Sequence, residues 1–209
     1  MAQVLDKKLK NIHETTALEV ISRFVENLER VDFPKDRFYT KSHIWIKSEP
    51  EFINVGISAS IVYLFAPITE LIFLQVPSFL GKGTPCTWIM HRDGILTVRS
   101  PFRGELLEIN RALLKDPDLV NQDPYFAGWL FKIRTDDPIA GFMKHSEFLE
   151  LYRTKIEILK KELLLNLTES IKPVSVPTLQ DGGQVIETVK ELLGTKRYLS
   201  LVNKVFELL

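Results

Sequence analysis

The spacing of apolar positions divides the chain into three regions with different periods. From Val4 to about Val31, Leu5, Leu9, Ile12, Val20, Ile21, Phe24, Leu28 and Val31 recur every three or four residues. That is the signature of an amphipathic helix or a pair of them, and Asp32-Phe33-Pro34 ends it. From Phe38 to about Arg134 the pattern changes to short β-type runs: His43 to Lys47, Phe52 to Ile57, Glu70 to Val76, Thr87 to Arg92, Ile95 to Arg99, Glu105 to Asn110 and Gly128 to Arg134. Turn-forming Ser-Glu-Pro, Gly-Lys-Gly, Asp-Gly, Phe-Arg-Gly and Asp-Pro segments separate them, as in a compact sandwich or barrel. After Pro138 the helical period returns, with Phe148, Leu151, Tyr152, Ile156, Leu159, Leu163 and Leu167 on one face. The segment Lys172 to Gly183 holds two prolines and two glycines and reads as a linker. From Gln184 to Leu209 the pattern is helical again, with a break expected at Gly194. The apolar stripes of these terminal helices need a surface to cover them, supplied by the core, a partner or a second copy.

Charge and cysteine content narrow the class. With 27 Lys and Arg against 27 Asp and Glu the chain has no net field to gather nucleic acid or an anionic membrane surface. The most apolar stretch, Ile61 to Val76, is interrupted by Pro67 and Glu70, so it reads as core and not as a membrane span. A lone cysteine, Cys86, forms no internal disulfide, and the cytoplasm is the expected compartment. The four histidines, at positions 13, 43, 91 and 145, lack the spacing of a zinc site. Asp116, Asp118, Asp123, Asp136 and Asp137 are flanked by prolines, which points to turns and helix caps rather than a cation site. No metal ligands and no catalytic residues are therefore expected, and Cys86 reads as a small buried apolar residue.

The most informative local feature runs from Thr87 to Arg99. Asp93-Gly94 between two β-prone runs predicts a hairpin with a two-residue turn, pairing Arg92 with Ile95, His91 with Leu96 and Met90 with Thr97. His91, Arg92, Asp93 and Gly94 then form the exposed surface of the tip.

The residues around this hairpin form an ordered set. Tyr39-Thr40-Lys41-Ser42-His43-Ile44-Trp45, Val55-Gly56-Ile57-Ser58 and Pro101 to Asn110 are followed by Asp116-Pro117-Asp118-Leu119-Val120-Asn121-Gln122-Asp123-Pro124-Tyr125 and Gly128-Trp129-Leu130. In this order they resemble the H protein of the glycine cleavage system, over roughly Phe38 to Asp137. The resemblance implies, for that middle stretch, a lipoyl/biotinyl hammerhead of two small antiparallel sheets. With the helical N- and C-terminal extensions read from the apolar spacing, which lie outside the family's usual extent, the expected fold is α+β with a mainly β centre. The expected organisation is residues 1–37 as a helical extension, 38–137 as the lipoyl-type domain, 138–171 as a helix packing on it, 172–183 as the linker and 184–209 as a helical tail.

In the family a lysine at the hairpin tip carries lipoate. Its place is ten residues after the glycine Gly83 and eight before Pro101, and both counts land on Asp93. The chain has no lysine between Lys82 and Lys115, and the family's acidic residue just before the lysine, used for recognition by lipoylating enzymes, is replaced by Met90. A carboxylate has no amine with which to form the lipoyl amide. The expectation is thus a homologue that lacks the lipoyl-lysine and has no bound cofactor, acting through protein partners such as glycine-cleavage or lipoate-handling enzymes. Self-association through the helical extensions is a further expectation. Two alternatives stay open at this point: a carrier modified on an unexpected lysine, or a structural subunit of another lipoate-linked complex.

Overall fold

The computed structural model describes residues 17–170 and 187–208. They fall into two compact units, one drawn from residues 1–30 and 153–205, the other from residues 31–152 with the chain's last few residues. The predicted linker at 172–183 and the first half of the predicted N-terminal helix lie outside the described residues.

The first unit is helical. Helix α1, residues 17–29, buries Val20, Ile21, Val25 and Leu28, the stripe expected from its spacing. The later turns of α4 (His145–Ser170) bury Ile156, Leu159 and Leu163. The helices α5 (Val189–Leu193) and α6 (Thr195–Phe206) are separated at Gly194, whose φ of +79° lies where side chains are disfavoured, so the predicted break is found there. At the start of α5 the Thr188 hydroxyl accepts from the Glu191 amide at 3.2 Å and the Glu191 carboxylate accepts from the Thr188 amide at 3.1 Å. That reciprocal capping fixes where the helix begins. Phe24 and Tyr198 meet edge to face, with ring centroids 6.2 Å apart.

The second unit contains two antiparallel sheets. The strands are β1 (Phe38–Tyr39), β2 (Ile44–Ser48), β3 (Ile53–Ile57), β4 (Ile68–Phe73), β5 (Ser78–Leu80), β6 (Pro85–His91), β7 (Gly94–Arg99), β8 (Gly104–Ile109) and β9 (Phe131–Arg134). One sheet has the order β1-β2-β3-β9-β8-β5, the other β4-β6-β7. All seven predicted strands are present, although β9 begins at Phe131 and not at Gly128. Between β3 and β4 the apolar run forms helix α2 (Ala59–Phe65), which buries Ile61, Val62, Leu64 and Phe65. A short helix α3 (Asp118–Gln122) precedes the loop to β9.

Two clusters hold this unit together. Phe33, Tyr39, His43, Phe148 and Tyr152 are all buried, with the Tyr39 and Phe148 rings stacked at 4.4 Å. In the second cluster Trp45 lies under the guanidinium of Arg37 at 4.7 Å and donates from Nε1 to the Pro124 carbonyl at 3.0 Å. Arg37 is itself buried, donates to the Tyr125 carbonyl at 3.0 Å and pairs with Asp36 at 2.9 Å. The charged hydrogen bond to Arg37 holds the Asp36 carboxyl below its usual range.

Candidate functional site at the hairpin tip

The β6–β7 hairpin is built, but in a different register from the one its Asp-Gly pair suggests. His91 pairs with Gly94, Met90 with Ile95, Ile89 with Leu96 and Trp88 with Thr97, so the turn residues are Arg92 and Asp93. Each β6 residue is therefore displaced by two positions relative to its expected partner. Because side chains alternate faces with a period of two, this displacement leaves every residue on its expected face. None of Arg92, Asp93 and Gly94 has a positive φ, so the left-handed turn that Asp-Gly favours is not formed.

The reason lies beneath the tip. His91, expected at the exposed surface, is turned inward, only 8% exposed, with its ring 4.9 Å from that of Phe65 in α2. Its Nδ1 accepts the Asp93 amide N–H at 3.4 Å, which ties the turn to the buried imidazole. Arg92 and Gly94 are exposed as expected, and Asp93 is half-buried. The tip thus presents a guanidinium and a carboxylate to solvent and no amine.

The remaining candidates take structural roles. Cys86 is buried and its thiol contacts the Val98 carbonyl at 3.4 Å, while burial pushes its pKa up from 9.0 to about 12. Alkylation at pH 8 is expected to be about a thousandfold slower in the folded chain than in urea, since the thiolate is the reacting form. Equal rates in a timed iodoacetamide reaction would refute that burial. The same shift leaves the thiol's stability contribution intact below its unperturbed value of 9.0 and removes it as pH rises towards 12. His43 has a φ of +63° and donates to or accepts from the Ser60 hydroxyl at 3.0 Å inside the aromatic cluster.

The aspartates act as turn residues. Asp118 accepts from Asn121 and Gln122, Asp123 accepts from the amides of Phe126 and Ala127, and Asp137 accepts from the Arg103 amide. No cluster of His, Cys, Asp and Glu that could hold a metal is found among the described residues. Phe102 is fully buried, and Trp88 and Trp129 are half-buried sheet-face and loop aromatics.

A cleft of about 340 Å³ opens beside β7, lined by Ser42, Ile44, Ile61, Leu96, Lys82 and Arg99 among others. Its walls are mainly apolar, and Lys82 reaches over the Phe142 ring at 6.0 Å. Sequence reasoning missed this cleft and also the buried Arg37. Only the tyrosine and phenylalanine at 125 and 126, far from Arg37 in sequence, hint at rings to receive its guanidinium, at 5.3 and 5.5 Å.

Residues 37–155 match the family model described as glycine cleavage H-protein. The chain belongs to the glycine cleavage H-protein family. An H protein of Thermus thermophilus is 36% identical over 110 residues, which cover 51% of this chain and 84% of that one. The H protein of Thermobifida fusca is 30% identical over 118 residues, covering 56% and 94%. The crystal structure of the Mycobacterium marinum H protein superposes with a TM-score of 0.52 at 26% identity, covering 56% of this chain and 95% of that one. H-family proteins are lipoyl carriers that work with other proteins and are not themselves enzymes, and as a member of the family this chain is not an enzyme. Among the described residues no helix is long and apolar enough to cross a membrane.

Proposed function

We propose that this chain is an H-protein homologue without the lipoyl arm, which acts by docking on the protein partners of its family in the cytoplasm. The observation that carries this reading is Asp93: it stands at the position reached by counting from both Gly83 and Pro101, and it occupies the turn of the β6–β7 hairpin. The family cofactor does not fit these residues. Amide attachment of lipoate needs a primary amine, and the tip offers only a carboxylate, a guanidinium and a buried imidazole. Lys82, the nearest lysine before the hairpin, lies in the cleft wall and not at the tip. With Met90 in place of an acidic residue on the strand leading to the tip, a lipoylating enzyme also lacks the side chain that the family resemblance gives for recognition.

The test is intact-mass spectrometry after co-expression with a lipoate ligase. The natural chain is expected to keep its unmodified mass, and the M90E/D93K variant to gain one lipoyl group on the new amine. An adduct on the natural chain, at any lysine, would replace this reading with that of a carrier modified elsewhere. Co-elution with a glycine-cleavage or lipoate-handling enzyme is the expected partner result, and isolation as a protein that binds neither counts against the docking role.

A further inference from the structure

The outer face of the β4-β6-β7 sheet is arranged as a small lattice. Cross-strand register gives one row of Glu70, Met90 and Ile95 and a second of Ile72, Trp88 and Thr97. Arg99 lies one outward position further along β7, opposite Pro85. The inward row of Leu71, Ile89 and Leu96 is buried, whereas Ile72 is 46% and Ile95 57% exposed, with Trp88 and Met90 half-buried beside them. Four large apolar side chains are therefore adjacent on a face turned to solvent, and tryptophan and methionine are enriched at protein interfaces. Sheets of this kind ordinarily alternate apolar inside with polar outside, so this face departs from the usual pattern.

The charges at its corners say what fits it. Glu70 is on one edge strand and Arg99 on the other, at diagonally opposite positions, and the lattice point midway between them is Trp88. Both charged residues are exposed, and among the described residues neither has an oppositely charged side chain in its own chain; Arg99 donates only to the Gly83 carbonyl, at 3.2 Å. A two-fold axis lying over Trp88, perpendicular to that diagonal, sets Glu70 of each copy against Arg99 of the other. It also places the two Trp88 side chains face to face within a ring of Ile72, Met90 and Ile95. This is the reciprocal pairing that an isologous contact requires. We infer that the outer face of the three-stranded sheet binds a second copy of this chain, with Trp88 at the two-fold axis and Glu70–Arg99 ion pairs on either side. The inference goes beyond the docking role proposed above and does not depend on the absence of lipoate.

The face is only three strands wide, about 10 Å across, so the contact belongs with small, weak, concentration-dependent interfaces. Sedimentation equilibrium of the full chain over about 1 µM to 1 mM tests it. The average mass is expected to rise towards twice the monomer, and added salt to oppose the rise. Trp88→Ser, Glu70→Arg and Arg99→Glu are each expected to weaken association at least about tenfold. The E70R/R99E double variant, which restores both ion pairs with reversed polarity, is expected to recover it, and circular dichroism checks that all four remain folded. A mass that stays monomeric throughout overturns the inference. So does self-association that the single variants leave untouched, which would assign it to another surface, or a double variant no better than either single one.

Discussion

Replacing Trp45 by alanine is expected to lower the stability of the sheet-containing unit by about 3–5 kcal/mol, a large part of the total that a domain possesses. Trp45 is fully buried on β2, and three groups depend on it. The Pro124 carbonyl loses its donor, the Arg37 guanidinium loses the ring on which it rests, and Gly56, directly opposite on β3, faces an empty space where the indole had been. The Arg37 term matters most in direction, because a buried cation that loses its aromatic cover is left with fewer compensating contacts. Urea unfolding followed by the fluorescence of the remaining Trp88 and Trp129, both in that unit, measures the loss. Trp45→Phe is expected to fall between the two, since it keeps a ring but leaves the Pro124 carbonyl unpaired, at about 1–3 kcal/mol. An alanine variant within about 1 kcal/mol of the natural chain would contradict this account of the cluster.

Gly128→Ala is expected to cost about 2–3 kcal/mol, in the upper part of the range for overpacking. A methyl group there would lie 2.8 Å from the Asp123 carbonyl oxygen, 2.8 Å from the Val120 Cα and 3.0 Å from the Pro124 Cα. All three are backbone atoms, so no side chain can rotate to make room. The Gly128 amide also donates to the Asp123 carbonyl at 2.7 Å, so displacement of the glycine stretches the bond that closes the loop after α3. That loop presents the Pro124 carbonyl to Trp45. The Trp45 and Gly128 substitutions should therefore be non-additive, with the double variant less unstable than the sum of the two, when compared by the same urea titrations.

How much of this was legible beforehand depended on the length of the pattern. Five- to seven-residue strands such as β2 and β6 stand out as β-prone runs bounded by turn residues and were placed from sequence, while β1 and β5, of two and three residues, are too short to form such a run. The α4 face from Phe148 to Leu163 follows its spacing because a long helix repeats its signal several times. Amphipathic spacing shows that α1, α5 and α6 need cover, but it does not say that residues near both ends of the chain and the later turns of α4 form one unit. The order of the family motifs was sufficient for the fold of roughly residues 38–137, within the 37–155 that match the family model.

The hairpin shows why the candidate site was only partly legible. Asp93-Gly94 is a local signal, and it competes with a non-local one: His91 packs against Phe65, twenty-six positions earlier in the sequence, and accepts the Asp93 amide. Tertiary contact decided the turn, so Arg92 and Asp93 occupy it without left-handed backbone. The position of Asp93 at the tip survived this change because the count along the chain does not depend on register. Arg37 escaped notice for the same kind of reason, since nothing adjacent in sequence reveals the rings of Trp45 and Tyr125 that receive it.

The placement of the tryptophans has a practical consequence for anyone unfolding this protein. Trp45, Trp88 and Trp129 all belong to the sheet-containing unit, and the helical unit contains none. Intrinsic tryptophan fluorescence therefore reports on one unit alone, while far-ultraviolet dichroism is dominated by the helices of the other. Two melting curves that coincide would mean that the units unfold as one, and two that separate would resolve the stability of each without cutting the chain.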